Sequence, residues 1–308
     1  MTFENAARID LADYILTGEG ANGVSYDCLS DRNIMVKMYN PGYDITCIVE
    51  EHDLARKVWS IGIPSPEPGE LVTDGSRLGI RFRKIIGKRS FARAISQEPD
   101  RLPELVTEFA RTCKGLHATE CPAGMFPRAK DTFLGLLDAD KVLDAGEKEV
   151  LAGFIRDVPE CRTALHGDMH FGNVLTTMPQ GATMDTPHEL YFIDLGYFAE
   201  GCPLFDVGMT WMICNLSDAA FVEHDFHFGL PVARSAWKEF CREYFFGVER
   251  LGERWFGPGA TPETVFEGMK PYVACKLLLV EFNVGFMPDH YIPFLKETVA
   301  SLAKRNNH

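Results

Sequence analysis

The chain has 308 residues, enough to bury a sizeable core and to divide into two lobes, and its 46% hydrophobic and 24% charged composition is ordinary for a soluble globular enzyme. Its formal charge of -13 argues against non-specific nucleic-acid binding and against docking on an anionic membrane, because both need Lys and Arg to meet phosphates. An acidic balance keeps a protein soluble and also attracts cationic small molecules.

The first part of the chain reads as strands. Val24, Tyr26 and Cys28 alternate with Ser25 and Asp27, a turn follows at Ser30-Asp31-Arg32-Asn33, and Ile34, Val36 and Met38 alternate with Met35, Lys37 and Tyr39. Pro41-Gly42 ends this hairpin. The spacing of Ile45, Ile48, Val49, Ala55, Val58 and Trp59 then predicts a helix from Ile45 to Ile61, stopped by Gly62-Ile63-Pro64. Two strands near Glu70–Thr73 and Leu78–Ile85 follow, joined by the tight-turn pair Asp74-Gly75.

Beyond Gly87 the pattern is mostly helical. Leu102, Leu105, Val106, Phe109, Cys113 and Leu116 form one apolar stripe, and further helices are expected near Ala139–Arg156, Asp206–Leu216, Val232–Leu251, Pro262–Phe282 and Ile292–Ala303. The polar stretch from Thr176 to His188 lies between two short apolar runs, which predicts a hairpin with a long tip. The expected architecture is α+β: a small mainly-β lobe in residues 1–87, a hinge near Arg83–Gly87, and a larger helical lobe in residues 88–308.

Nine cysteines, with no Cys-x-x-Cys pair, suggest neither a disulfide framework nor a zinc cage and read as free thiols in a reducing cytoplasm. Met1-Thr2-Phe3-Glu4 has no basic stretch leading into an apolar run, so no signal peptide is expected. The best apolar stretch, Cys275 to Met287, is interrupted by Lys276 and Glu281 and is too short for a bilayer.

Two segments in the middle of the chain carry the chemistry: His166-Gly167-Asp168-Met169-His170-Phe171-Gly172-Asn173 and Ile193-Asp194-Leu195-Gly196. Phosphoryl transfer needs a carboxylate to orient the acceptor hydroxyl and hard oxygen donors to hold magnesium against the phosphates. Asp168 suits the first task, and Asn173 with Asp194 suits the second. Near the N-terminus, Gly18-Glu19-Gly20-Ala21-Asn22-Gly23 fits Gly-x-Gly-x-x-Gly, but the strand that follows it is the wrong partner for a dinucleotide-binding loop.

These motifs resemble those of the aminoglycoside phosphotransferase and choline kinase family, distant relatives of protein kinases, whose loop reads His-Gly-Asp-x-His-x-x-Asn. The resemblance implies a protein-kinase-like two-lobe fold and an ATP- and magnesium-dependent phosphotransferase acting on a hydroxyl of a small molecule, aminoglycosides and choline being cationic examples. It implies that Asp168 is the catalytic base, that Asn173 and Asp194 hold Mg2+, and that His166 and His170 brace the loop. Gly18, Gly20 and Gly23 would let backbone amides approach the phosphates, with Lys37 on the α- and β-phosphates.

The family places a Glu eleven residues before the Gly of Gly-x-Pro. That selects Glu51 as the partner of Lys37, with Glu50 as fallback. Adenine would be read by the backbone from Lys84 to Ile86. Asp206 matches a family Asp that braces the catalytic loop, but capping of the following helix accounts for it equally well. Tyr197, Asp218, Glu223, Asp225, Glu281, Phe286 and Asp289 are candidates for the acceptor site.

Three other readings remain. A protein kinase would normally carry His-Arg-Asp. A catalytically silent nucleotide-binding module would keep the fold without turnover. A metal-dependent hydrolase would use His166, Asp168 and His170 as zinc ligands.

Overall fold

A computed structural model describes residues 6–20 and 22–306. Among these the elements run β1 (Ala7–Arg8), β2 (Tyr14–Gly20), β3 (Gly23–Cys28), β4 (Ile34–Tyr39), α1 (Ile45–Ser60), β5 (Pro68–Thr73), β6 (Leu78–Arg83) and β7 (Arg89–Ser90). Then come α2 (Phe91–Gln97), α3 (Leu102–His117), α4 (Ala129–Ala139), α5 (Ala145–Asp157), β8 (Thr163–Leu165), β9 (Val174–Thr176), β10 (Leu190–Phe192) and β11 (Ala199–Gly201). The chain finishes with α6 (Leu204–Asn215), α7 (Ala219–Phe226), α8 (Leu230–Phe246), α9 (Leu251–Phe256), α10 (Pro262–Val284) and α11 (Ile292–Asn306).

These elements form two compact units. One runs through Ser90 and includes Asn173–Phe198; the other is Phe91–Gly172 with Ala199 onward. The division expected after Gly87 lies three residues before Ser90, and the segment Asn173–Phe198 groups with the N-terminal strands.

In the first unit the described strands order as β1-β5-β6-β4-β3-β2. All neighbours are antiparallel except β1 and β5. Strand alternation sends Val36 and Met38 to one face, where they meet Val72. Tyr39 faces the other way and packs with Ile80 and Ile48 of α1. Lys37 shares the Tyr39 face, so its side chain is directed toward α1. The Gly-rich segment is the β2–β3 turn, closed by pairing of Gly20 with Gly23; Ala21 lies outside the described residues. A separate antiparallel set, β10-β9-β7, is the long-tipped hairpin expected between Asn173 and Asp194.

The second unit is helical around α6 and α10. Every residue of α6 from Leu204 to Cys214 is buried, as is α10 from Pro271 to Leu279. A short ladder, β11-β8, holds the segment leading into the His166 loop.

The helix expected over Ala139–Arg156 is corrected. Ala139 ends α4, and α5 starts at Ala145, with a reciprocal capping box formed by Asp144 and Glu147. The short helices α2, α7 and α9 fall outside the expected helical ranges, and no described helix is long and apolar enough to cross a membrane.

Gly23 illustrates a crowding constraint. A Cβ there would lie 2.4 Å from the Met38 carbonyl oxygen of the paired strand. Gly115 in α3 has open space around the same position. Gly23→Ala is therefore expected to cost about 1–3 kcal/mol in urea unfolding, whereas Gly115→Ala is neutral or stabilising by up to roughly 1 kcal/mol. Equal stability of the two variants would contradict this reading of β3–β4 packing.

Candidate active site

In the first unit, Lys37 Nζ donates to Glu51 Oε1 at 2.9 Å and to Asp194 Oδ1 at 2.6 Å. Burial alone would lower the Lys37 ammonium, but the two carboxylates outweigh it and hold the group above the ordinary lysine value. Glu51 is thus the partner that α1 turns toward the strand, and Glu50 is exposed. Its carboxylate also lies against Gly196, where an added Cβ would sit 3.4 Å from Glu51 Oε2. The Lys37 ammonium lies 5.0 Å from the Tyr39 ring centroid.

Asn173 and Asp194 belong to the same hairpin. The Ile193 N–H donates to the Asn173 carbonyl at 3.0 Å, which extends the β9–β10 ladder and sets Asp194 one residue beyond the pair. Asp194 has φ +57° and ψ +59°, a left-handed conformation that is uncommon for a residue with a side chain. Such strain persists only where the surroundings impose it, and it concentrates at functional sites. The pair offers hard oxygen donors, one neutral and one anionic. That suits a magnesium ion that takes its other ligands from phosphates and water.

Two expectations at this end need amendment. Gly23 is required by strand crowding, which already accounts for its identity. A Cβ at Gly18 or Gly20 would meet only ordinary contacts, so close approach of a ligand remains a reason for glycine at those two positions. At the hinge, the Lys84 N–H is engaged by the Asn33 carbonyl at 2.7 Å, and its ammonium pairs with Asp27. That N–H is therefore already taken within the chain; Ile86 is 58% exposed.

In the second unit, the Asp168 loop is fastened through its backbone. Asp206, fully buried in α6, accepts the His166 N–H at 2.7 Å on Oδ2 and the Gly167 N–H at 2.8 Å on Oδ1. His117 Nε2 lies 3.1 Å from the same Oδ2, and His117 Nδ1 lies 2.7 Å from the Tyr244 hydroxyl. Helix α6 has no side-chain cap, so the capping account of Asp206 is replaced by the loop-bracing one. Thr210, one turn on, donates to the Met169 carbonyl at 2.9 Å. Lys276 of α10 donates to the Gly167 carbonyl at 2.5 Å. Gly167 itself has φ +84°, where a side chain would be strained.

The Asp168 N–H donates to His166 Nδ1 at 3.2 Å, and the Gly172 N–H donates to His170 Nδ1 at 3.1 Å. Neutral His170 therefore carries its proton on Nε2, which lies 3.4 Å from Asp168 Oδ2. Burial would raise the Asp168 carboxyl; His170 above all, then His166 and Lys276, override that and keep it well below the usual carboxylate range. The two Nδ1 atoms are engaged by backbone donors, and among the described residues no group of three His, Cys, Asp or Glu could hold a metal. Phe226 of α7 holds the His170 ring edge-on at 5.2 Å.

The suggested acceptor residues are divided between the two units. Asp218 caps α7 by accepting the Phe221 N–H at 2.8 Å. Glu281 is buried and accepts the Lys141 N–H at 3.3 Å; burial, then the nearby Asp140, raises its carboxyl. Tyr197 belongs to the first unit, whereas Glu223, Asp225, Phe286 and Asp289 are exposed residues of the second. Sequence reasoning missed His117, Thr210 and Lys276. Only Lys276 left a signal, as a charge inside an apolar run.

A model of the phosphotransferase enzyme family matches residues 20–240. The chain belongs to that family. Its fold is protein-kinase-like and is similar to that of several solved structures. One is a thermostable mutant of aminoglycoside phosphotransferase APH(4)-Ia in a ternary complex with ADP and hygromycin B, at 13% identity and TM-score 0.59, covering 95% of this chain and 92% of that one. An aminoglycoside-3'-phosphotransferase of type VIII is 20% identical with TM-score 0.54, over 87% and 93% of the two chains. Amicoumacin kinase hAmiN, in complex with AMP-PNP, Ca2+ and Ami, is 14% identical with TM-score 0.52, over 97% and 90%. No curated protein matches the sequence.

Burial would raise the Asp206 carboxyl too, but His117 first and Lys276 after it hold it low. A carboxyl with a folded-state pKa below its unfolded value of about 3.9 stabilises fully above that value and loses the contribution as pH falls through the folded one. Stability in urea is therefore expected to drop steeply below about pH 4. Asp206→Asn should flatten that drop while costing about 3–5 kcal/mol at neutral pH. An unchanged pH slope in the variant would remove Asp206 from the account.

Proposed function

We propose that this protein transfers the γ-phosphoryl group of ATP, with magnesium, to a hydroxyl of a small molecule. The observation that carries the reading is Asp168, kept ionised by His170 on a loop whose backbone is fixed by Asp206, Thr210 and Lys276. Family membership and the nucleotide complexes of the similar kinases support it.

A carboxylate so far below its usual range is a weak proton acceptor at neutral pH. Its principal work is to hold the acceptor hydroxyl in line for attack, with the proton moving as the new bond forms. Lys37 serves the nucleotide phosphates, positioned by Glu51. Asn173 and Asp194 would hold magnesium, which when bound neutralises charge developing on the transferred group. Lys37 and Asp194 neutralise each other in this structure; a magnesium nucleotide brings each of them a new partner of opposite charge.

The formal charge of -13 and exposed carboxylates such as Glu223 and Asp225 favour cationic acceptors. Aminoglycosides and choline-like amino alcohols therefore head a panel of hydroxyl compounds screened for acceptor-dependent ADP release. Turnover with none of them, and none with sugars or homoserine, would favour a silent nucleotide-binding module instead. With an accepted substrate, Asp168→Asn is expected to lower kcat by about 10²–10⁴-fold while nucleotide affinity stays within about twofold. Retained turnover in that variant would remove Asp168 from its role.

A further inference from the structure

Lys276 is the least expected residue of the second unit. It sits in the middle of α10, inside the buried run Pro271–Leu279, and is 1% exposed. An ammonium in such a place is strongly disfavoured unless charge and hydrogen-bonding partners surround it. An apolar side chain would pack there at lower cost, so the lysine needs a reason.

Its surroundings supply one. The Nζ donates to the Gly167 carbonyl at 2.5 Å, on the residue just before Asp168. It lies 5.2 Å from the centroid of the Phe133 ring of α4. Two carboxylates act on it electrostatically, Asp206 from α6 and Asp168 from the loop. Other titratable groups facing this cluster are His166 and His170 on the loop, His117 and Cys113 on α3, Tyr244 on α8 and Cys275 on α10 itself. Burial pulls the ammonium below the ordinary lysine value while Asp206 and Asp168 oppose that pull.

We infer that Lys276 is a positioning residue for phosphoryl transfer: its ammonium clamps the Gly167 carbonyl and offsets the paired charges of Asp168 and Asp206, fixing the direction and ionisation of the Asp168 carboxylate. The role rests on the proposed phosphotransferase activity, because Lys276 acts through Asp168 and touches no reacting atom. Asp206 holds the two N–H groups of the turn and Lys276 holds its carbonyl. Gly167, the residue before Asp168, is thereby fixed at both its N–H and its carbonyl. Gly167, at φ +84°, has no side chain to restrict it, so the clamp supplies the restraint that the residue lacks.

The test compares Lys276→Met, which removes both charge and donor, with Lys276→Gln, which removes the charge and keeps a donor. Turnover is followed as ADP release from Mg-ATP, with water as the probe acceptor, across a pH series. Amide hydrogen exchange of the segment 163–172 is measured beside it. The Met variant is expected to lose about tenfold or more in kcat with the KM for ATP unchanged. Its acid limb should move to higher pH, because Asp168 loses a neighbouring cation, and exchange should rise in 163–172 but not in α5.

The Gln variant should recover part of kcat and the exchange protection, yet keep the displaced acid limb. Unchanged kcat and pH profile in both variants would overturn the proposal. So would a loss of kcat with exchange raised throughout the second unit and no shift of the limb, since that pattern describes packing alone. If the Met variant does not fold, the Gln variant decides on its acid limb. A wild-type protein that releases ADP neither with water nor with any hydroxyl compound of the acceptor panel sinks the phosphotransferase reading, while the exchange comparison still reports on the clamp.

Discussion

One buried carboxylate organises the loop that carries Asp168. Asp206 has no exposed surface, and its two oxygens are taken by the N–H groups of His166 and Gly167 and by His117. A charge without such partners would be too costly to bury. The dependence is mutual: the loop's donors make the charge tolerable, and the charge holds the loop in one conformation. From that anchor the arrangement spreads to α3 through His117 and Tyr244, along α6 to Thr210, and to α10 through Lys276. Networks of this kind specify a single geometry because any partly satisfied version is worse than none.

The first unit solves a related problem with a cation at the centre. Lys37 is held between Glu51 and Asp194, so neither carboxylate is left to repel the other and the ammonium is doubly fixed. Three separate local rules meet at that point. Strand alternation turns Lys37 toward α1, helical phase turns Glu51 rather than Glu50 toward the strand, and the β9–β10 ladder delivers Asp194 in a left-handed turn. The strained backbone at Asp194 is the cost of re-aiming a carboxylate immediately after a strand.

Much of this was legible in the sequence because it follows from local periodicity. The β3–β4 hairpin, α1, the β5–β6 turn at Asp74-Gly75 and the long-tipped β9–β10 hairpin were all readable from alternation, helical spacing and turn residues. Asp168, Asn173 and Asp194 stand out in the sequence because their residue types and spacing match a chemical demand, and their roles are part of the proposal. The failures share a cause as well. The break between α4 and α5 was marked by Asp144 and Glu147 at capping distance, but the continuing apolar rhythm concealed it. Asp206 at the first turn of α6 looks like a cap in one dimension, and only the folded chain shows that its oxygens face the loop. His117 and Thr210 carry no local signal at all, since their partners lie 89 and 41 residues away in sequence. The third glycine of the Gly-rich segment fits a phosphate-loop pattern, yet β-strand crowding explains it fully.

The order in which the two units share the polypeptide has a consequence for how such a protein can be altered or inherited. The chain leaves the first unit after Ser90, returns at Asn173, and leaves again after Phe198. No single crossover can exchange one unit between relatives intact, because a splice at Ser90 would strand β7 from its neighbour β9. Replacing one unit by that of a relative would need matched double insertions. Such lineages are therefore expected to diversify through substitutions in place rather than by trading whole halves.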